Sequence, residues 1–267
     1  MNAPGEPTTL HVAETASTNS DLLERVRAAA ADGAAAFAPC LLVADRQTAG
    51  RGRNGRPWHA AAGASLTFSL AWPFERGDLS GLSLAVGVAL ADALEPAPAA
   101  GRIGVKWPND LWLLDADACA TQPPGRKLAG VLIETAPFGD RRIAVIGVGL
   151  NVAATDVAEA SSGVACLQEI DAGATPASAL ARIAPPLVDA LRRFEREGFA
   201  AFAARFAARD LLRGRAVVGE GADIAIEGVA AGVAPSGALW LETATGRRPV
   251  VSGEWRLRLA VAAGSPC

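Results

Sequence analysis

The sequence predicts an α+β fold, with a mixed, mostly antiparallel sheet and a few helices, followed by a small C-terminal β-barrel. Three observations predict it. Strand-like apolar runs between residues 111 and 151 follow one another at hairpin-like spacing, and few helices are available as parallel crossovers. Helical apolar periodicity is confined to a handful of segments. From Leu212 onward that periodicity gives way to short strands separated by glycine turns.

Taken in order, residues 1–9 read as a flexible tail, 10–210 as the larger domain and 211–267 as the barrel domain, with a boundary near 210. Thr18-Asn19-Ser20-Asp21 fits a capping box and opens an alanine-rich helix that stops at Gly33. A short buried strand is expected at 41–44, a loop at 45–63 and an alternating strand at 65–70. Residues 82–94 have the spacing of a packed helix, ended by Pro96 and Pro98. Further strands are expected at 104–106, 111–114, 130–135 and 143–151. Helices follow at 177–197, where Pro185 and Pro186 mark a candidate break, and at 199–209. The barrel strands are expected at 216–218, 224–233, 238–241 and 250–252.

Composition narrows the function classes. With 267 residues, 51% of them hydrophobic, the chain can bury one core of ordinary size and a small second one. A net charge of −3 offers nucleic acid no global positive field. No run of eighteen apolar residues occurs, and the N-terminus lacks the basic and apolar regions of a signal peptide, so neither a membrane span nor secretion is expected. The four cysteines, at 40, 119, 166 and 267, form no Cys-x-x-Cys pair, and His11 and His59 flank no other ligands. A zinc site built by the protein is therefore not expected, and scattered thiols suit a cytoplasmic location. The chain contains 23 arginines but only two lysines, Lys106 and Lys127, which makes both candidates for places where a compact point charge is needed.

Residues 47–58 carry the densest chemical signal: Gln47-Thr-Ala-Gly50-Arg51-Gly52-Arg53-Asn54-Gly55-Arg56-Pro57-Trp58. Glycine lets a backbone approach a ligand closely, arginine supplies forked donors to phosphate or carboxylate, and Trp58 could lay a flat face on a base. A lid over a phosphorylated intermediate, an RNA-binding patch and a solvated basic loop all fit this stretch taken alone. Lys106-Trp107-Pro108-Asn109-Asp110 ends a strand and could hold a phosphate chain with its Mg²⁺, with Asp110 as the carboxylate; an ordinary strand exit with a surface ion pair fits too. Gly125-Arg126-Lys127-Leu128-Ala129-Gly130 puts the second lysine at the mouth of an apolar strand, either to bind a carboxylate or as one of two surface charges on a turn. Gly147-Val148-Gly149 lacks the third glycine of a dinucleotide fingerprint, no P-loop occurs, and Ser65, two residues after Gly63, lacks the second glycine of a nucleophile elbow. Glycines such as Gly130 and Gly149 in buried strands instead make room for a ligand lying flat on a sheet.

In this order and spacing, Ser17-Thr18-Asn19, residues 47–58, 106–110, 126–134 and 147–151 resemble the biotin protein ligases, the resemblance covering about residues 10–210. It implies a seven-stranded mixed sheet like that of class II aminoacyl-tRNA synthetases, with residues 212–262 as an SH3-like barrel. The implied reaction condenses biotin with ATP to biotinyl-5′-adenylate, then passes biotin to a lysine of a biotin carboxyl carrier protein. By the same resemblance Ser17, Thr18, Asn19, Gln47, Arg51, Gly52, Arg53 and Lys127 would contact biotin. Trp58, Lys106, Asn109, Asp110 and Asn151 would serve the nucleotide and its Mg²⁺, with Arg56, Gly130 and Gly149 completing the binding surface and Lys127, Arg53 and Lys106 assisting the chemistry. Ser17 stands so near the start that the DNA-binding domain carried by some members is not expected, so the resemblance implies the ligase-only form, acting without nucleic acid or membrane as a monomer or weak homodimer. The connection at 115–125 is longer than a turn requires. Two other readings remain: a lipoate or octanoate transferase of the same superfold, and a nucleic-acid-binding protein using the Arg-Gly loop.

Overall fold

The computed structural model describes residues 5–75, 77–95, 101–115, 124–155, 163–220, 225–253 and 256–260. Among them the larger sheet has seven strands: β1 (Thr8–Thr15), β2 (Cys40–Gln47), β3 (Ser65–Phe74), β4 (Ile103–Lys106), β5 (Asp110–Leu114), β6 (Gly125–Phe138) and β7 (Arg141–Asn151). Their hydrogen-bonded order is β1-β2-β3-β7-β6-β5-β4. β1 pairs with β2 in parallel, whereas β2–β3, β3–β7, β7–β6 and β4–β5 are antiparallel, so the sheet is mixed and mostly antiparallel as expected. The helices are α1 (Thr18–Ala31), α2 (Leu82–Leu94), α3 (Pro176–Glu197) and α4 (Ala203–Arg209).

The chain divides into two compact units, the first made of Met1–Asp78, Leu128–Ala160 and Val164–Asp189, the second of Leu79–Lys127, Ser161–Gly163 and Ala190–Cys267. This division is discontinuous in sequence. Strand β6 contributes residues 125–127 to the second unit and the rest to the first.

In the first unit, α1 lies on one face of the sheet. Leu22, Leu23 and Val26 recur at helical spacing and pack with Cys40, Leu42, Ala71, Ala136, Ile143 and Val145. The helix opens one residue earlier than the sequence suggested. Ser17, not Thr18, is the N-cap, its extended backbone presenting Oγ to the Ser20 N–H at 3.5 Å. The helix ends at Ala31, and Gly33 follows with φ 70°, the left-handed turn that glycine supplies. Strand β1 begins at Thr8, inside the expected tail; its mostly exposed residues give it little apolar signal. Strand β3 was expected to alternate, yet Ser65, Thr67 and Ser69 are as buried as Leu66, Phe68 and Leu70 between them. Helix α3, with residues 176–189 in the first unit and 190–197 in the second, is not broken by its prolines. Ile183, Leu187, Leu191 and Phe194 bury one stripe, and that packing outweighs the hydrogen bonds lost at Pro185 and Pro186.

In the second unit, α2 is mostly apolar and largely buried. Expected Pro96 and Pro98, like most of the 115–125 connection, lie outside the described residues. Arg209, only 10% exposed, ties α4 to its surroundings: Nε lies 3.0 Å from Asp92, and Nη1 donates to Glu95 at 3.1 Å and to the Ile103 carbonyl at 2.9 Å. The helix expected at 199–209 starts as a 3₁₀ turn, Phe199–Phe202, before α4.

The C-terminal strands β8 (Ala216–Glu220), β9 (Ala225–Val233), β10 (Leu239–Thr243), β11 (Gly246–Val250) and β12 (Arg256–Leu259) pair in the order β11-β10-β9-β8-β12. All four pairings are antiparallel, and among the described residues the sheet is open, with β11 and β12 at its edges. The strand expected at 250–252 is instead two strands, one ending at Val250 and one starting at Arg256. No helix among the described residues is long and apolar enough to cross a membrane.

Burial pushes the Asp210 carboxyl above the ordinary carboxylate range, although backbone N–H groups of Leu212 and Arg213 and the Arg213 charge pull it down. A raised folded-state value means that the folded protein holds the proton more tightly than the unfolded chain. The ionised group therefore costs stability above its folded pKa, and the cost is relieved as pH falls toward the unfolded value near 3.9. Asp210→Asn keeps an oxygen for the Leu212 N–H, bonded at 3.0 Å, and removes the charge. Its stability relative to the parent, from denaturant titrations, should be more favourable at pH 7 than at pH 4; an unchanged difference would refute this account.

Candidate active site

The polar cluster of the first unit is built on the register of three strands. Ser69 lies opposite Gly147, and Thr67 opposite Gly149, across β3 and β7. Gly130 and Leu132 face Gly149 and Gly147 across β7 and β6. Directly opposed residues share a face, so a row of hydroxyls and a row of glycines lie side by side. The α1 N-terminus stands against them. A Cβ at residue 147 would come within 3.0 Å of Asn19 Oδ1, closer than Cβ atoms approach anything, so only glycine admits the Asn19 amide here. At residue 149 a Cβ would likewise strike the ring of Trp58.

A chain of hydrogen bonds follows. The Thr18 backbone N–H donates to Gln47 Oε1 at 2.8 Å, and Thr18 Oγ lies 3.0 Å from the same oxygen. Thr18 Oγ is 2.6 Å from Ser69 Oγ, which lies 2.6 Å from Asn19 Oδ1. Asn19 Nδ2 then donates to Glu134 Oε2 at 2.9 Å, and Arg51 Nη2 reaches both Glu134 oxygens, at 3.1 and 2.8 Å. Gln47 Oε1 and Asn19 Oδ1 can only accept, so two hydroxyl protons serve three oxygen–oxygen contacts. At any instant one of those contacts lacks a proton, and the cluster has acceptor capacity for a donor from outside.

Residues 50–58 fold back on themselves. The Trp58 N–H donates to the Gly50 carbonyl at 2.8 Å, the Gly52 N–H to the Arg56 carbonyl at 2.7 Å, and Arg51 bridges to Pro57. Asn54 and Gly55 turn the tip with φ 55° and 71°. A Cβ on Gly50 would sit 2.5 Å from the Trp58 carbonyl oxygen, so this glycine closes the neck of the loop. Gly52 differs: its φ of −107° suits any residue, and a Cβ there meets nothing nearer than 3.5 Å.

The second unit carries its own cluster on the β4–β5 hairpin, where Lys106 pairs with Asp110 in register. Trp107, 1% exposed, anchors the turn by donating Nε1–H to the Gly237 carbonyl at 3.0 Å, and Ser83 Oγ donates to the Pro108 carbonyl at 2.9 Å. Lys106 Nζ lies 4.7 Å from the centre of the Trp112 ring, a cation–π contact. Lys127 Nζ lies 2.8 Å from Asp110 Oδ1, so the expected acid-binding lysine and the expected metal carboxylate are held together. Among the described residues no group of three His, Cys, Asp or Glu could hold a metal unaided. A single carboxylate such as Asp110, with phosphate oxygens and water, is nonetheless a donor set that Mg²⁺ accepts.

The structure thus brings Ser17, Thr18, Asn19, Gln47, Gly130 and Gly149 to one sheet face or its rim, with Arg51 and Trp58 reaching it from the loop. Arg53 and Arg56 belong to the same loop, in its 3₁₀ turn and just beyond it. Asn151, opposite Ser65, turns its Nδ2 to the Ala165 carbonyl at 3.2 Å. Lys106, Asn109, Asp110 and Lys127 gather in the second unit. Sequence reasoning missed Ser69 and Thr67 and did not assign Glu134. The period-two hydroxyls Ser65, Thr67 and Ser69 within an apolar strand were the available signal.

Comparison with known proteins places this geometry in company. The model of the biotin/lipoate A/B protein ligase family matches residues 33–151, and that of the biotin protein ligase C terminal domain matches 214–255. A bifunctional ligase/repressor BirA from Salmonella typhimurium is 37% identical over 249 residues, covering 91% of this chain and 72% of the relative. A biotin–[acetyl-CoA-carboxylase] ligase from Paracoccus denitrificans is 32% identical over 253 residues, covering 91% and 98%. A solved biotin protein ligase from Aquifex aeolicus, in complex with biotin and ATP, superposes with a TM-score of 0.76 at 27% identity, covering 94% of this chain and 99% of that one.

Gly149→Ala should keep the secondary structure, cost roughly 1–3 kcal/mol by overpacking, and loosen Trp58. Limited proteolysis should then cut within 50–58 faster than in the parent, while circular dichroism stays unchanged.

Proposed function

The chain belongs to the biotin protein ligase family, and from its two clusters we infer how it activates biotin with ATP and passes it to a protein lysine. In the first step a biotin carboxylate oxygen attacks the α-phosphorus of ATP. A new P–O bond forms, the bond to the β-phosphate bridge breaks, and pyrophosphate leaves. In the second step the neutral amine of an acceptor lysine attacks the acyl carbon, AMP departs, and the amine sheds a proton as the amide forms. Neither step needs a covalent nucleophile from the enzyme. What the chain must supply is orientation and positive charge.

The single observation that carries the assignment of roles is the Thr18–Gln47–Ser69–Asn19 chain, which offers acceptors for a donor on this sheet face. The ureido N–H groups of biotin are such donors. Lipoate has no N–H, so this cluster favours biotin over the lipoate branch of the family. Gly52 has no need of its missing Cβ within the protein, which suits a backbone approached by the ligand.

Arg53, Arg56, Lys106 and Lys127 supply the cations for the carboxylate and phosphates, and Trp58 and Asn151 serve the nucleotide. Lys127 exchanges its Asp110 partner for the anions as the substrates load. A compact ammonium on a flexible stem can make that exchange, whereas a planar guanidinium would hold the carboxylate by its fork. Mg²⁺, arriving on the phosphates with Asp110 as its protein ligand, would offset part of the negative charge there. The acceptor is a biotin carboxyl carrier domain of a biotin-dependent carboxylase, and the work is cytoplasmic. In this reading 10–210 is the catalytic domain and 211–267 an SH3-like domain.

Lys127→Ala should slow biotin-dependent pyrophosphate release at least about a hundredfold, the scale of one lost oxyanion donor, with melting temperature little changed. Near-normal release would remove Lys127 from the chemistry. With the parent protein, biotin and not lipoate should trigger pyrophosphate release and label a carrier domain; the reverse preference would overturn the reading.

A further inference from the structure

The Arg51 side chain has a partner that its expected role does not explain. Nη2 meets both oxygens of Glu134, at 3.1 and 2.8 Å, and Glu134 Oε2 also accepts Asn19 Nδ2 at 2.9 Å. Asn19 is almost fully buried and is itself fixed by Ser69 on one side and by the missing Cβ of Gly147 behind it. A buried polar group of the first unit is thus joined, through one carboxylate on β6, to the first arginine of the loop. Arg51 also stands in the loop's neck. It follows Gly50, which cannot carry a Cβ beside the Trp58 carbonyl, and it bridges to Pro57 on the returning strand.

We propose that Glu134 is a positioning residue that anchors the neck of loop 50–58 through Arg51, so that the Arg51 guanidinium serves the loop and not the bound acid. The loop carries three arginines, Arg51, Arg53 and Arg56. Glu134 cancels the charge of the first and fixes where the chain leaves the sheet. The other two then address the anionic ligand from a defined starting point. A carboxylate is needed at 134 because it must accept from an amide and a guanidinium at once, which its two oxygens allow. The loop's purpose in this account rests on the ligase reading above, but the anchor itself is a property of the ligand-free protein.

Arg51→Ala, Glu134→Ala, the double variant and Glu134→Gln test it with two readouts. Without ligand, each alanine variant should speed proteolytic cleavage within 50–58 severalfold, and the double variant should be no faster than either single one. In biotin-dependent pyrophosphate release, each should raise the KM for biotin roughly tenfold, the scale of one hydrogen bond to a charged group, with kcat within about twofold and no further loss in the double variant. Glu134→Gln keeps an acceptor for Asn19 and loses the charge, so it should fall between parent and Glu134→Ala, and it carries the test if Glu134→Ala does not fold. Additive losses, unchanged cleavage, or a raised KM in Arg51→Ala alone would overturn the proposal, the last by putting the guanidinium on the acid. If the parent protein releases no pyrophosphate with biotin, the ligase reading fails, while the cleavage rates still decide the anchor.

Discussion

Asn19 can lie against the backbone of β7 because the facing residue, Gly147, has no side chain, and the rest of the first unit's polar cluster is arranged around that contact. A buried amide must have partners on both its oxygen and its nitrogen, or it costs the fold free energy. Ser69 satisfies the oxygen and Glu134 the nitrogen. Through them the α1 N-terminus, the central strand β3, the strand β6 and the Arg-Gly loop are held in one relation. Gln47 closes the chain at the other end by taking the Thr18 N–H that the helix itself cannot use.

The same helix carries the opposite chemistry one turn further on. Leu22, Leu23 and Val26 press on Cys40, Leu42, Ala71 and Val145, so α1 is pinned to the sheet by apolar burial along its length. Only its first residues meet hydroxyls and glycines. This division explains why the polar cluster is both buried and pre-formed: the helix is placed by its apolar stripe, and the polar N-terminus inherits that placement.

In the second unit, positive charge is handled differently. Two lysines in a chain with 23 arginines are each held by a soft constraint, Lys106 by the face of Trp112 and Lys127 by Asp110. Neither contact uses a forked geometry, and a compact ammonium suits both. Arg209 shows the contrast. Its guanidinium is nearly buried and spreads across Asp92, Glu95 and a carbonyl, a structural use that a lysine could not fill.

The α+β class and most helices and strands were legible in the sequence, whereas the closed C-terminal barrel was not: among the described residues that sheet is open. The legible features are local: helical or alternating periodicity, a capping residue, glycines beside arginines. The family resemblance rested on the same local stretches, and the comparisons bear it out. Tertiary structure alone decided what depends on register and on burial from both sides. Ser69 read as one more residue of an alternating strand until β7 set Gly147 opposite it and α1 covered both. Glu134 read as one residue of the strand expected at 130–135 until pairing brought it within reach of Asn19 and Arg51. The α1 cap fell on Ser17 because Gln47, 29 residues further along, claims the Thr18 N–H. The helix across Pro185 and Pro186 held because its apolar stripe is buried. In each case the deciding partner is distant in sequence, and no local pattern records it.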